Sequence, residues 1–120
     1  MQIKESAENY LEMILILKER IGHVRSIDIA NELGFTKPSV SVAMKKLREN
    51  GYIHVDESGY ITLEKEGYDI ASQIYDRHQT LTDLLISIGV SKETATEDAC
   101  KIEHVISNES YRCIKNCLKK

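Results

Sequence analysis

Between Ser6 and Glu19 the apolar residues Tyr10, Leu11, Ile14, Leu15 and Leu17 recur at spacings of three and four, which puts them on one face of a helix, with Ser6 as its expected N-cap. Gly22 ends that helix. Ser26 to Leu33 reads as a short helix with Ile27, Ala30 and Leu33 inward and Gly34 as its C-terminal cap. Phe35 follows as an apolar plug. Thr36 caps a third helix, in which Pro38 is tolerated because amides of the first turn have no intrahelical acceptor, and Val40, Ala43, Met44 and Leu47 face the core. After Asn50-Gly51 the period becomes alternating: Tyr52 to Val55 and Tyr60 to Leu63 flank the polar Asp56-Glu57-Ser58-Gly59, a β-hairpin pattern.

A long helix is expected from about Glu64 to Ser87, with Ile70, Ile74, Leu81, Leu84 and Leu85 apolar and Gly89 beyond its end. Two shorter ones follow, from Ser91 to Ile106 and from Ser107 towards Leu118. Helix, short helix, turn, helix and hairpin is the order of a winged helix-turn-helix. The fold class is therefore mainly α: a winged helix-turn-helix DNA-binding domain over residues 1–71, then a helical domain over 72–120, with the boundary inside the long helix. Leu84, Leu85, Ile88, Val105, Ile106 and Ile114 exceed what three short helices can bury among themselves, which points to a two-fold interface and a homodimer.

Composition adds limits. A chain of 120 residues, 42% hydrophobic and 29% charged with a single proline, is that of a folded, helix-rich protein, too short for an enzyme with a separate cofactor domain. Lys4, Glu5 and Glu8 interrupt any early apolar run and no later run approaches a membrane span, so the expectation is a cytoplasmic protein with no membrane partner. Cys100, Cys113 and Cys117 are an odd set, better suited to free thiols or metal ligands than to a disulfide framework.

The net charge of -3 works against polyanion binding, but its distribution does not. Between Thr36 and Asn50 lie Lys37, Lys45, Lys46 and Arg48 against Glu49 alone. In a helix-turn-helix the second helix enters the major groove with its N-terminal residues at base edges. Thr36, Lys37, Pro38, Ser39 and Ser41 are small, polar or basic as that role requires. Val42 suits a thymine methyl, and Lys45 and Lys46 suit phosphates, which position without specifying sequence. The expected partner is a double-stranded DNA operator.

Cys100-Lys101-Ile102-Glu103-His104 places a thiolate, a carboxylate and an imidazole at i, i+3 and i+4, neighbours on one helical face. Such mixed donors suit divalent iron, manganese, cobalt, nickel or zinc rather than magnesium or calcium. One helix does not complete a coordination shell. His78, in the long helix, and Asn9 with Glu12, at i and i+3 in the first, are the further candidates.

These features together resemble the diphtheria toxin repressor family of iron- and manganese-dependent regulators. The resemblance is carried by Ala7-Glu8-Asn9-Tyr10-Leu11-Glu12, Asp28-Ile29-Ala30, Lys37-Pro38-Ser39-Val40-Ser41, Arg77-His78 and Cys100-x-x-Glu103-His104. It implies a homodimer that binds a palindromic operator when loaded with Fe2+ or Mn2+, in a short form without the SH3-like domain. It also implies that Asn9, Glu12, His78, Cys100, Glu103 and His104 are metal ligands. Cys100 is like the iron-responsive branch and Glu12 like the manganese branch, so the implied site is a hybrid. Two other readings compete: a winged-helix regulator whose sensor responds to oxidation of Cys100, and a small metallohydrolase built on Glu103 and His104. The second is disfavoured, since no H-E-x-x-H spacing, nucleophile elbow or phosphate loop is present.

Overall fold

The structure, a computed structural model, describes residues 5–119, which fall into two compact units, Met1–Ser72 and Gln73–Lys120. The first holds α1 (Glu5–Ile21), α2 (Ser26–Leu33), α3 (Lys37–Glu49), β1 (Ile53–Val55), β2 (Ile61–Leu63) and the opening of α4 (Lys65–Ser87). The second holds the rest of α4, α5 (Lys92–Ile102) and α6 (Asn108–Leu118).

The first unit is organised by apolar burial. Leu11, Ile14 and Leu17 line α1 and pack in one cluster with Ile29 and Ala30 of α2, Val40, Met44 and Leu47 of α3, and Ile53 and Ile61 of the strands. Gly34 ends α2 in the left-handed conformation, φ 72°, with its amide bonded to the Ala30 carbonyl, which turns the chain into α3. The strands pair antiparallel with Ile53 opposite Leu63 and Val55 opposite Ile61. Val24 adds a bridge through the Ile61 amide, 2.7 Å from its carbonyl. A single residue between two helices carries no alternation, so this third element was not legible. Gly67 fixes the entry of α4: a Cβ there would lie 2.1 Å from the Tyr52 carbonyl oxygen, so only glycine lets the two backbones approach so closely.

Three details of the sequence reading change. Ser6 lies inside α1, which already includes Glu5, so it is a helical residue and not the cap. Ile29 is fully buried and Ile27 only partly, because the face of α2 that meets the core is rotated from the one the spacing suggested. Phe35 is not a plug: it is 50% exposed and meets Tyr10 edge-on, with ring centroids 6.0 Å apart.

The second unit has a small apolar interior, namely Ile74, Leu81, Ala95, Ala99 and Tyr111, beside the buried polar residues Arg77, Thr80 and Glu103. Ser91 and Ser107 cap α5 and α6 by accepting from the amides of Thr94 and Ser110. Helix α5 stops at Ile102, four residues short of the expected end. The Glu103 amide still reaches Ala99, but the amides of Val105 and Ile106 both turn to the Ile102 carbonyl, and the carbonyls of Glu103 and Ile106 are taken by a side chain, Arg77. The helix gives way to a turn over residues 103–105, where the Val105 amide reaches back only three residues.

Candidate functional site

The i, i+3, i+4 spacing of Cys100, Glu103 and His104 was expected on one continuous helix; instead α5 carries Cys100 in its last turn, and Glu103 and His104 occupy the turn that follows. Glu103 is 0% exposed. One of its carboxylate oxygens, Oε2, lies 2.8 Å from His78 Nδ1 on α4, and the other, Oε1, lies 3.4 Å from His104 Nε2. The His104 side chain is itself almost wholly enclosed. Among the described residues Oε1 has no hydrogen-bond partner. Withdrawing a carboxylate oxygen from water without such a partner is costly, on the order of a few kcal/mol.

That cost has a chemical use. A buried carboxylate flanked by two imidazoles offers one hard oxygen donor and two borderline nitrogen donors, a set suited to a divalent first-row metal. The under-bonded Oε1 is what such an ion would satisfy, so the residues present fit the group. Of the six residues expected as ligands, His78 and His104 thus each meet the Glu103 carboxylate, on different oxygens, within the second unit. Cys100 is exposed at the end of α5. Asn9 and Glu12 stand one helical turn apart on α1 in the first unit, Glu12 buried and Asn9 half-buried. Cys113 and Cys117, on α6, are exposed thiols.

Arg77 was noted in the sequence only as the neighbour of His78, and its role was missed. It is buried, and its guanidinium donates to the carbonyls of Glu103 (3.2 Å) and Ile106 (3.0 Å) and to Asn108 Oδ1. A basic residue beside a histidine on a helix gives no sign in sequence that it turns inward.

On α3, burial of Val40, Met44 and Leu47 turns the opposite face to solvent. Thr36, Lys37, Pro38, Ser39, Ser41, Val42, Lys45 and Lys46 are all exposed. Thr36 is the N-cap: its Oγ1 accepts from the Ser39 amide at 3.3 Å and donates to Ser39 Oγ at 2.8 Å. Two of the hydroxyls expected at base edges therefore also hold the start of the helix. Among the described residues no helix is long and apolar enough to cross a membrane.

Two family models match the chain. Residues 2–61 match the iron dependent repressor N-terminal DNA binding domain, and residues 64–120 match the iron dependent repressor metal binding and dimerisation domain. An uncharacterized HTH-type transcriptional regulator of Methanocaldococcus jannaschii is 33% identical over 98% of this chain and 96% of its own. The transcriptional regulator MntR of Salmonella typhimurium is 34% identical over 89% of this chain and 68% of its own. A manganese-dependent transcriptional repressor solved in complex with manganese superposes with a TM-score of 0.85 at 26% identity, over 94% of this chain and 52% of that one. The chain spans slightly more than half the length of several of the solved structures it matches. The relatives are transcriptional regulators, so the metallohydrolase reading falls away and the redox alternative is not favoured. On the match of both halves and on these identities, the chain belongs to the iron-dependent repressor family of metal-dependent, DNA-binding transcriptional regulators.

Proposed function

We propose that this protein is a cytoplasmic homodimeric repressor that binds a palindromic operator when loaded with divalent iron or manganese and so controls genes of metal homeostasis. The observation that carries the reading is Glu103, a fully buried carboxylate set between His78 and His104 with one oxygen lacking a hydrogen-bond partner. In this reading His78, Glu103 and His104 hold the ion, with Cys100, Asn9 and Glu12 as the further donors that the family resemblance assigns. The ion supplies positive charge to carboxylates that otherwise repel one another. Because Asn9 and Glu12 belong to the DNA-binding half of the sequence and the other donors to the second half, metal affinity and DNA affinity are coupled, each raising the other by the same factor.

Exposed Ile86, Ile88 and Val105, the last at 78%, support a homodimer, since apolar groups of that size at the surface of so small a unit favour a partner. On α3, Lys45 and Lys46 are assigned to phosphates, and Thr36, Lys37, Pro38, Ser39, Ser41 and Val42 to the groove. The test is DNA retention by anaerobic protein titrated in turn with iron, manganese, cobalt, nickel and zinc. The reading requires sequence-specific binding that rises with at least one of them and falls on chelation. Metal-independent retention governed instead by oxidation of Cys100 would return the redox reading.

A further inference from the structure

Two successive residues of α4 hold the same residue of the turn. His78 meets the Glu103 carboxylate, at 2.8 Å, while Arg77 meets the Glu103 carbonyl, at 3.2 Å. Arg77 then spans the whole connection between α5 and α6. Its Nη1 also takes the Ile106 carbonyl at 3.0 Å, its Nη2 takes Asn108, the first residue of α6, and the guanidinium lies 5.3 Å from the centre of the Tyr111 ring.

The choice of acceptors is informative. A buried arginine near a buried glutamate ordinarily forms a bidentate pair with the carboxylate, because that is the geometry in which both charges are compensated. Here the three hydrogen bonds of the guanidinium go to neutral oxygens, and the Glu103 carboxylate is left facing two imidazoles with Oε1 under-bonded. A second feature agrees. The Glu103 and Ile106 carbonyls lie just beyond the last helical residue of α5, where the helix dipole is negative and orphan acceptors are found, so a cation there is electrostatically favoured without touching the carboxylate.

We propose that Arg77 is a positioning residue for the metal donors: it holds the 103–106 turn by its backbone so that the Glu103 carboxylate stays directed at His78 and is not drawn to the guanidinium. The inference rests on the metal-site reading above. Arg77 is not itself a ligand; it acts through the backbone of one. Outer groups that orient metal ligands typically change affinity by about 10- to 100-fold when lost.

The experiment uses the full chain with Co2+ as a spectroscopic probe and Mn2+ in competition. Arg77→Gln removes the charge and most of the bonds, Arg77→Lys keeps the charge without the fork, and Asn108→Ala removes only the outermost anchor. Each metal-free variant is first compared with wild type by far-ultraviolet circular dichroism. The expectation for Arg77→Gln is a Co2+ affinity reduced about tenfold or more, with the ligand-field bands shifted in position and intensity. Arg77→Lys should restore part of the affinity but not the wild-type spectrum, and Asn108→Ala should fall between Arg77→Lys and wild type. Should Arg77→Gln fail to fold, Asn108→Ala carries the test: a wild-type affinity and spectrum in that variant overturns the proposal. Unchanged Co2+ spectra in a folded Arg77→Gln overturn it equally, as does full restoration by lysine, which would reduce the role to charge alone. If wild type itself binds neither ion, it is the metal-site reading that fails and not the role of Arg77 within it.

Discussion

The two units solve the problem of a stable interior in different ways. In the first, buried apolar residues from three helices, two strands and the start of α4 form one large cluster with Glu12 as its buried charged residue, while Arg20 and Glu32 pair at 3.0 Å at the surface. In the second, the apolar interior includes two alanines, the buried polar set includes Glu103 and Arg77, and the exposed residues include Ile86, Ile88 and Val105. The first unit rests on a large apolar core, even though Phe35 and Val42 stay exposed. The second has a smaller apolar interior set around the buried Arg77 and Glu103, which makes its stability depend more on what binds it.

The sharpest way to break this comparison is to damage each interior by a single atom or charge. Gly67→Ala places a methyl group 2.1 Å from the Tyr52 carbonyl oxygen, a backbone atom that yields only if α4 or β1 moves. We expect a loss of about 3 kcal/mol in the stability of the first unit, at the upper end of overpacking costs, measured by urea denaturation. Saturating metal should not relieve the clash itself. Complete recovery of the wild-type denaturation midpoint by metal would show that the first unit does not stand on its own packing.

Glu103→Gln makes the opposite change. It removes a buried charge, so the metal-free protein should be as stable as wild type or more so, since an uncompensated buried carboxylate is a liability. Metal affinity should drop by about 100-fold, equivalent to about 2.7 kcal/mol, and the rise in melting temperature on adding Mn2+ should disappear. A metal-free Glu103→Gln that is strongly destabilised would mean that the carboxylate is a structural member of the interior and not one held for a cation. Cys100→Glu refines the same point at smaller amplitude: exchange of an exposed thiolate for a carboxylate should move the metal ranking away from softer ions towards manganese, read by competition between Mn2+ and Co2+.

How much of this was legible in the sequence follows the same division. Spacing located every helix and the hairpin, because apolar periodicity reports directly on which face meets a core, and the first unit is built from such faces. It also singled out Glu103 and His104 by their spacing, with His78 as a further candidate, and the structure sets both histidines against the Glu103 carboxylate. What it missed are interactions in which backbone meets backbone or a polar side chain turns inward. Val24 pairs with Ile61 through its main chain, Gly67 matters for an atom it lacks, and Arg77 turns inward to hold the carbonyls that follow α5. Periodicity is blind to all three. The expected run of α5 to Ile106 failed because nothing in the pattern showed that the Val105 amide would turn to the Ile102 carbonyl and close the helix there.

The exposed face of α3 offers the finest distinction, between holding the helix and reading DNA. Thr36 holds the Ser39 amide, so Thr36→Ala should cost about 1 kcal/mol of stability as a lost N-cap and for that reason is a poor probe of base recognition. Ser41 is the cleaner one: it is exposed, and no capping bond to it is needed to begin the helix. Lys45 and Lys46 are exposed and lie beyond the end proposed to enter the groove, and in that proposal their charges meet phosphate whatever the sequence. Replacement of Lys46 by alanine should weaken binding to specific and unrelated duplexes alike, and should reduce the slope of log affinity against log salt by about one unit for each phosphate left without its cation. Ser41→Ala should leave that slope unchanged and alter the preference at one base pair. Small as they are, these effects are the most diagnostic, because they separate position from chemistry within one helix. An unaltered salt slope in Lys46→Ala, together with a changed slope in Ser41→Ala, would rotate the reading face of α3 away from the one its buried residues define.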